Sequence, residues 1–224
     1  MSNTAARLWL VRHGQTDWNL AGRIQGRTPT ELNAHGRQEA NLLADLLAKN
    51  GRKFSACYAS DLPRAAQTAQ ILTGRLSIPV QLVPALQERD FGSLEGAYPE
   101  QIRAARAASG VPHTADLAHW HGVTGIESDA ALYERVAAAL LDISQKHGDQ
   151  DVLVVTHGGV IARVVYRPLD IHDGMPRHFP MSNGIVAVVR WHADHLHLLT
   201  LADLPFLLAG APLAADTALI PKSD

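Results

Sequence analysis

Cysteine is almost absent from this 224-residue chain, where Cys57 stands alone. A lone thiol excludes an intrachain disulfide and any site built from several thiolates, and it fits a reducing compartment. An excess of either charge is missing as well: 20 Lys and Arg meet 22 Asp and Glu, for a formal charge of −2. No global positive field is there to hold a nucleic-acid backbone or an anionic membrane, so any anionic partner has to be met locally. No apolar stretch approaches the roughly 18 residues of a membrane span, and Leu8 to Val11 is too short for the core of a secretory leader. The expectation is a cytoplasmic protein that binds neither nucleic acid nor membrane. Aromatic residues are few, at 5%, but 46% of the chain is hydrophobic, enough for one well-cored domain over residues 1–224. What the chain has in plenty is histidine, with twelve.

Short apolar or alternating runs read as strands: Leu8–Val11, Phe54–Ala59, Val80–Val83, Val152–Val155, Ile185–Trp191 and Leu196–Leu201. Helical spacing appears between them. Leu42, Leu43, Leu46 and Leu47 are expected to share a face after Gly36, and Leu132, Val136, Leu140 and Ile143 repeat from about Asp129 to Lys146. A third helix is signalled at Ser60-Asp61-Leu62-Pro63-Arg64, with Ser60 or Asp61 as cap, Pro63 in the first turn and Gly74 as the close. Alternating strand and helix predict a three-layer α/β/α sandwich around a mainly parallel sheet, the last two strands forming an antiparallel edge. Residues 93–126 break the rhythm with Gly96, Pro99, Gly110, Pro112, Gly122 and Gly125 around one helical pattern, Glu100–Ala108, and read as a cap-like insertion over a pocket. The Ala/Pro-rich tail after about residue 208 reads as loose.

The first strand runs straight into Arg12-His13-Gly14-Gln15-Thr16. Ligands of open α/β sheets gather at the carboxyl ends of strands, and this one presents a fixed cation beside an imidazole. Gly14 would let backbone approach a phosphate closely. The pattern returns at Val152-Leu153-Val154-Val155-Thr156-His157-Gly158-Gly159, where the glycines open an apolar segment whose helical N-terminus would favour an anion. One strand-end histidine is an ordinary core or surface residue; a matched pair, each followed by glycine, points to a shared site. The first 37 residues also carry five arginines against two carboxylates, a local +3.

These residues resemble the histidine phosphatase superfamily, the group that includes cofactor-dependent phosphoglycerate mutase. The resemblance spans about residues 8 to 190. It rests on Leu10-Val11-Arg12-His13-Gly14-Gln15-Thr16-Asp17-Trp18-Asn19, Gly22-Arg23-Ile24-Gln25-Gly26, Ser60-Asp61-Leu62-Pro63-Arg64-Ala65-Ala66-Gln67-Thr68-Ala69, Glu88-Arg89-Asp90-Phe91-Gly92-Ser93-Leu94-Glu95-Gly96 and Val155-Thr156-His157-Gly158-Gly159, in that order. It implies that His13 attacks phosphorus and becomes phosphohistidine, a role that suits an imidazole neutral near pH 7. Arg12 and Arg64 match the arginines that grip the phosphoryl oxygens, and His157 the second histidine, whose N–H stabilises them. Gly14 and Gly158 follow the histidines, and Asn19 and Gln25 match polar residues around the phosphate or the pocket entrance. Glu88 matches the proton donor to the leaving oxygen; at a reference pKa of about 4.3 a glutamate needs burial or a nearby negative charge, such as the incoming phosphate, to serve as an acid.

Departures within the blocks bear on the reaction. Phosphoglycerate mutases carry Glu-Arg-His-Tyr-Gly and a paired-arginine motif in a longer insertion, whereas here the first block reads Glu88-Arg89-Asp90-Phe91-Gly92 and Arg103 and Arg106 are split by two alanines. Pro29-Thr30-Glu31-Leu32 stands where relatives often read Asp-x-Pro-Leu. The reading is a phosphomonoesterase that uses no metal or other cofactor and hydrolyses a small phosphorylated metabolite, as monomer or homodimer. Phosphoglycerate mutase-type transfer and a non-catalytic module that binds phosphorylated ligands are the alternatives. Arg103 and Arg106 could reach a second acidic group of the substrate or simply solvate a helix face. His178 and Asn183 could line the pocket from behind. A metal site is the rival suggested by His119, His121, His192, His195 and His197, which have no recognised zinc spacing.

Overall fold

The computed structural model describes residues 5–49, 51–112, 116–167, 181–192 and 195–208. The strands are β1 (Arg7–Arg12), β2 (Phe54–Ala59), β3 (Val80–Leu82), β4 (Asp151–Thr156), β5 (Val186–His192) and β6 (His195–Ala202). The helices are α1 (Asp17–Leu20), α2 (Ala34–Lys49), α3 (Pro63–Leu76), α4 (Pro99–Ser109), α5 (Asp129–His147), α6 (Gly158–Tyr166) and α7 (Leu204–Leu208). One six-stranded sheet runs β3-β2-β4-β1-β5-β6. β3, β2, β4 and β1 are parallel, and β5 and β6 are antiparallel, as the strand patterns predict.

Period-two alternation sorts each central strand onto two faces. Leu8 and Leu10 of β1, Val152 and Val154 of β4 and Ala187 and Val189 of β5 meet Leu132, Val136, Leu140 and Ile143 of α5 and Val160, Ile161 and Val164 of α6. Trp9, Val11, Leu153, Val155, Val186 and Val188 meet Leu43 and Leu47 of α2, Ala65, Ala69 and Leu72 of α3 and Leu204 and Leu207 of α7 on the other side. The result is an α/β/α sandwich. β1 and β4 are wholly buried through these positions, which is why they read as unbroken apolar runs.

Three local expectations shift. Leu42 is 45% exposed, because the buried stripe of α2 follows Gly36, Ala40, Leu43, Ala44 and Leu47, and Leu42 lies about 100° round the helix from Leu43. Leu62 occupies the N-cap of α3 and neither Ser60 nor Asp61 caps it by side chain. Gly74 lies inside α3, which ends at Ser77 in a left-handed conformation (φ 55°). Val186 and Val188 belong to the core.

Residues 93–126 form an excursion that leaves and re-enters at one point: Phe91 bridges Ile126, and the Ser93 N–H donates to the Thr124 carbonyl at 2.9 Å. The crossing is tight enough that a Cβ on Gly92 would lie 2.6 Å from the Gly125 carbonyl carbon. Arg89, 3% exposed, ties the crossing down by donating to Asp116 and, at 2.7 Å, to Asp129 and the Glu127 carbonyl. Asp129 also pairs with Arg163 of α6 at 2.9 Å.

Candidate active site

Register places three strand ends side by side. Arg12 pairs with Thr156 across β1 and β4, and Ala59 of β2 stands opposite Val155 of β4, so His13, His157 and Ser60 leave the sheet at its carboxyl edge together. The His13 and His157 rings lie 5.2 Å apart between centroids, and both side chains are buried.

His13 has its tautomer set by its backbone. Nδ1 is 2.7 Å from the Gly14 carbonyl, which can only accept, so Nδ1 carries the proton and Nε2 the lone pair. Arg64 Nε donates to that Nε2 at 3.3 Å. Burial first, then the charges of Arg12 and Arg64, hold the His13 imidazole well below its ordinary pKa and keep it neutral. His157 is depressed in the same direction, by burial and then by Arg64, His13 and Arg12.

Arg64 is fully buried in the first turn of α3, and burial pushes its guanidinium down to about 10. Three of its five N–H groups hold loop oxygens: Nη1 donates to Thr28 O at 2.9 Å and Thr30 Oγ1 at 3.2 Å, and Nη2 to Gly26 O at 2.6 Å. That leaves one Nη2 hydrogen besides the Nε that donates to His13. Arg12 donates through Nη1 to the Met181 carbonyl, and its buried Nε has no hydrogen-bond partner among the described residues.

Glu88 follows the turn Pro84–Leu86, which Thr156 holds by donating from Oγ1 to Leu86 O at 2.8 Å. Its carboxylate accepts from Arg89 N at 2.8 Å and from Gly159 N, in the first turn of α6, at 2.9 Å. Arg135 of α5 holds the approach, donating to Ala85 O at 2.8 Å and Gln87 O at 3.1 Å. Helix α6 starts at Gly158 with no side-chain cap, so its N-terminal dipole is directed at this cluster. The structure thus brings His13, Arg12, Arg64, His157 and Glu88 to one end of the sheet.

The remaining sequence candidates lie around that cluster in different capacities. Gly14 donates its N–H to Thr68 Oγ1 at 3.1 Å, and a Cβ there would lie 2.9 Å from the Gly36 carbonyl carbon, so the close approach of α2 to the segment after β1 also requires this glycine. Gly158 leaves room for Arg12, whose Nε would be 3.1 Å from a Cβ. Asn19 closes a capping box with Thr16 and accepts from Asn183, which also donates to His13 O at 3.0 Å. Gln25 Oε1 accepts from Thr16 at 3.0 Å and Thr30 at 2.5 Å, bracing the loop that holds Arg64. Arg103 is exposed, and Arg106 lies 5.9 Å over the Trp120 ring within the excursion. His178 is outside the described residues. Sequence reasoning missed Thr68 and the Arg89, Arg135 and Glu127 cluster; the position of Thr68 four residues after Arg64, whose carbonyl it binds at 2.7 Å, is the signal that was present. Among the described residues no group of three or more His, Cys, Asp or Glu is placed to hold a metal ion.

A buried neutral imidazole whose Nε2 lone pair faces one guanidinium and lies near a second, at the carboxyl edge of an α/β sandwich, is suited to handling a phosphoryl group through histidine. Comparison with known proteins gives the family. The sequence profile of the histidine phosphatase superfamily (branch 1) matches residues 8–204, and the chain belongs to that superfamily. It is 38% identical over 159 residues to the metal-independent phosphoserine phosphatase of Arabidopsis thaliana, covering 70% of this chain and 66% of that one. It is 32% identical over 178 residues to the adenosylcobalamin/alpha-ribazole phosphatase of Escherichia coli K12, covering 80% and 86%. A crystal structure of a phosphoserine phosphatase mutant from Entamoeba histolytica in complex with phosphoserine superimposes with a TM-score of 0.74 at 29% identity, covering 89% of this chain and 98% of the other. Among the described residues no helix is long and apolar enough to cross a membrane.

Proposed function

We propose that the protein is a phosphomonoesterase that hydrolyses a small phosphorylated metabolite through a phosphohistidine on His13, without a metal. The observation that carries this reading is the His13 lone pair at Nε2, fixed by the Gly14 carbonyl and facing Arg64. In the first step His13 Nε2 forms a bond to phosphorus as the bond to the leaving oxygen breaks, and Glu88 gives that oxygen its proton. In the second, the Glu88 carboxylate takes a proton from water, whose oxygen displaces the imidazole and yields inorganic phosphate. Arg12, Arg64 and the His157 N–H hold the phosphoryl oxygens throughout, where charge concentrates in the transition state. Asn19, Gln25 and Gly158 shape the pocket around them, and the 93–126 excursion caps it within a single domain.

Substrate names of the relatives, phosphoserine and α-ribazole phosphate among them, support a small metabolite and differ from one another. The test is hydrolysis of an aryl phosphate such as p-nitrophenyl phosphate. Activity is expected to survive excess EDTA and to vanish in His13→Ala; dependence on a divalent ion, or activity remaining after the substitution, overturns the reading. Interconversion of 2- and 3-phosphoglycerate faster than phosphate release would replace hydrolysis by mutase-type transfer. A panel of phosphorylated metabolites ranked by kcat/KM identifies the substrate.

A further inference from the structure

Ser60 follows β2 with its side chain fully buried, and its hydroxyl touches the second histidine, with Oγ 2.8 Å from His157 Nε2. The same oxygen accepts the Leu62 N–H at 3.2 Å, in the turn that leads into α3. The other ring nitrogen, His157 Nδ1, is buried and has no hydrogen-bond partner among the described residues. We propose that Ser60 is a positioning residue that sets the tautomer of His157, so that the ring offers an N–H and not a lone pair to the phosphoryl oxygens.

The choice follows from counting protons. A neutral imidazole has one N–H, and a hydroxyl has one proton with lone pairs to spare. If His157 Nε2 carried the proton and donated to Ser60, the hydroxyl would accept two bonds, its own proton would be left buried without an acceptor, and Nδ1 would turn a lone pair on an anion. If Ser60 donates to Nε2, its lone pair still serves Leu62, its proton is used, and Nδ1 carries the N–H that a phosphoryl oxygen accepts. A buried donor or acceptor left unmade is costly, so the second arrangement prevails. The two histidines at matched strand ends then have opposite tasks fixed by opposite partners: a carbonyl gives His13 a lone pair at Nε2, and a hydroxyl gives His157 a proton at Nδ1.

This proposal rests on the phosphatase reading for its consequence in rate, but the tautomer is measurable on the resting protein. Nitrogen-15 NMR of histidine-labelled protein, with His157 assigned by its loss in His157→Gln, is expected to show protonation at Nδ1 in wild type. In Ser60→Ala that preference is expected to relax toward Nε2–H, with kcat on p-nitrophenyl phosphate falling at least about tenfold and KM little changed; outright loss of an oxyanion donor costs about 10²–10³-fold. Ser60→Thr, which keeps the hydroxyl, is expected to restore both. An Nε2–H tautomer in wild type overturns the proposal, even if Ser60→Ala fails to fold. So does a Ser60→Ala protein whose rate falls with the tautomer unchanged, since Ser60 then acts only by bracing the turn before α3. A wild-type protein that hydrolyses no phosphomonoester sinks the phosphatase reading and leaves the tautomer result standing.

Discussion

Replacing Gly159 by alanine separates the position of Glu88 from the integrity of the fold. An alanine Cβ would lie 3.0 Å from Glu88 Cδ and 3.2 Å from Oε2, and closer still to Oε1. What stands in the way is the end of a flexible side chain, so the carboxylate can give way by swinging roughly an ångström, and a misplacement of that size at a reacting group costs about 10²-fold. That factor corresponds to about 2.7 kcal/mol of transition-state stabilisation. The fold loses much less: the bond from Gly159 N to Glu88 Oε2 is worth about 1 kcal/mol and is offset in part by alanine's lower unfolded-state entropy. The assay is kcat/KM on p-nitrophenyl phosphate beside urea unfolding of the same preparations. Gly14→Ala differs in losing stability as well, because its Cβ meets Gly36 backbone at 2.9 and 3.0 Å, which cannot swing away, and overpacking of that kind costs about 1–3 kcal/mol. A Gly159→Ala enzyme with wild-type kcat/KM would refute the role given to Glu88.

Three further outcomes are expected. Since His13 and His157 are held well below the ordinary histidine pKa of 6.5, the unfolded chain takes up protons near that pH that the folded state refuses. Stability is therefore full above about pH 6.5 and falls below it, by up to about 1.4 kcal/mol per pH unit for each imidazole, and urea titrations of wild type against His157→Gln should show the slope halved. A second loss, at lower pH, belongs to Asp116, Glu127 and Asp151, whose carboxyls are held below their ordinary values by hydrogen bonds and arginine charges that outweigh burial; their stabilisation disappears as pH falls through those lowered values. Arg89→Met should cost about 3–5 kcal/mol by taking the guanidinium from Asp116 and one of the arginines from Asp129, whereas a loss under 1 kcal/mol would show the network to be solvated.

The centre of the sheet was legible because β1 and β4 are buried on both faces, and Val152–Val155 and Leu8–Val11 leave no other use for so many adjacent apolar residues. The five clustered site residues were legible through ordered blocks rather than through spacing, since His13 and His157 meet only when β1 and β4 pair. The approach of Gly36 to Gly14 was not legible, because an absent side chain looks the same whether a ligand or a helix approaches it, and only packing shows the helix there. Ser60 was read as a helix cap from its place before Pro63; its bond to His157 spans 97 residues and has no local signature. Arg89 and Arg135 were hidden for the same reason, as their carboxylate and carbonyl partners come from segments brought together by the excursion.

The central claim is that the phosphoryl group rests on His13 during turnover. Phosphoramidate survives alkali, so rapid alkaline quenching of enzyme turning over p-nitrophenyl phosphate, followed by mass spectrometry of the peptide bearing His13, reads it directly. The account predicts a phosphorylated imidazole on that peptide within the first turnover, absent from His13→Ala. Phosphate released with no such peptide, by an enzyme that keeps its activity without His13, would contradict it.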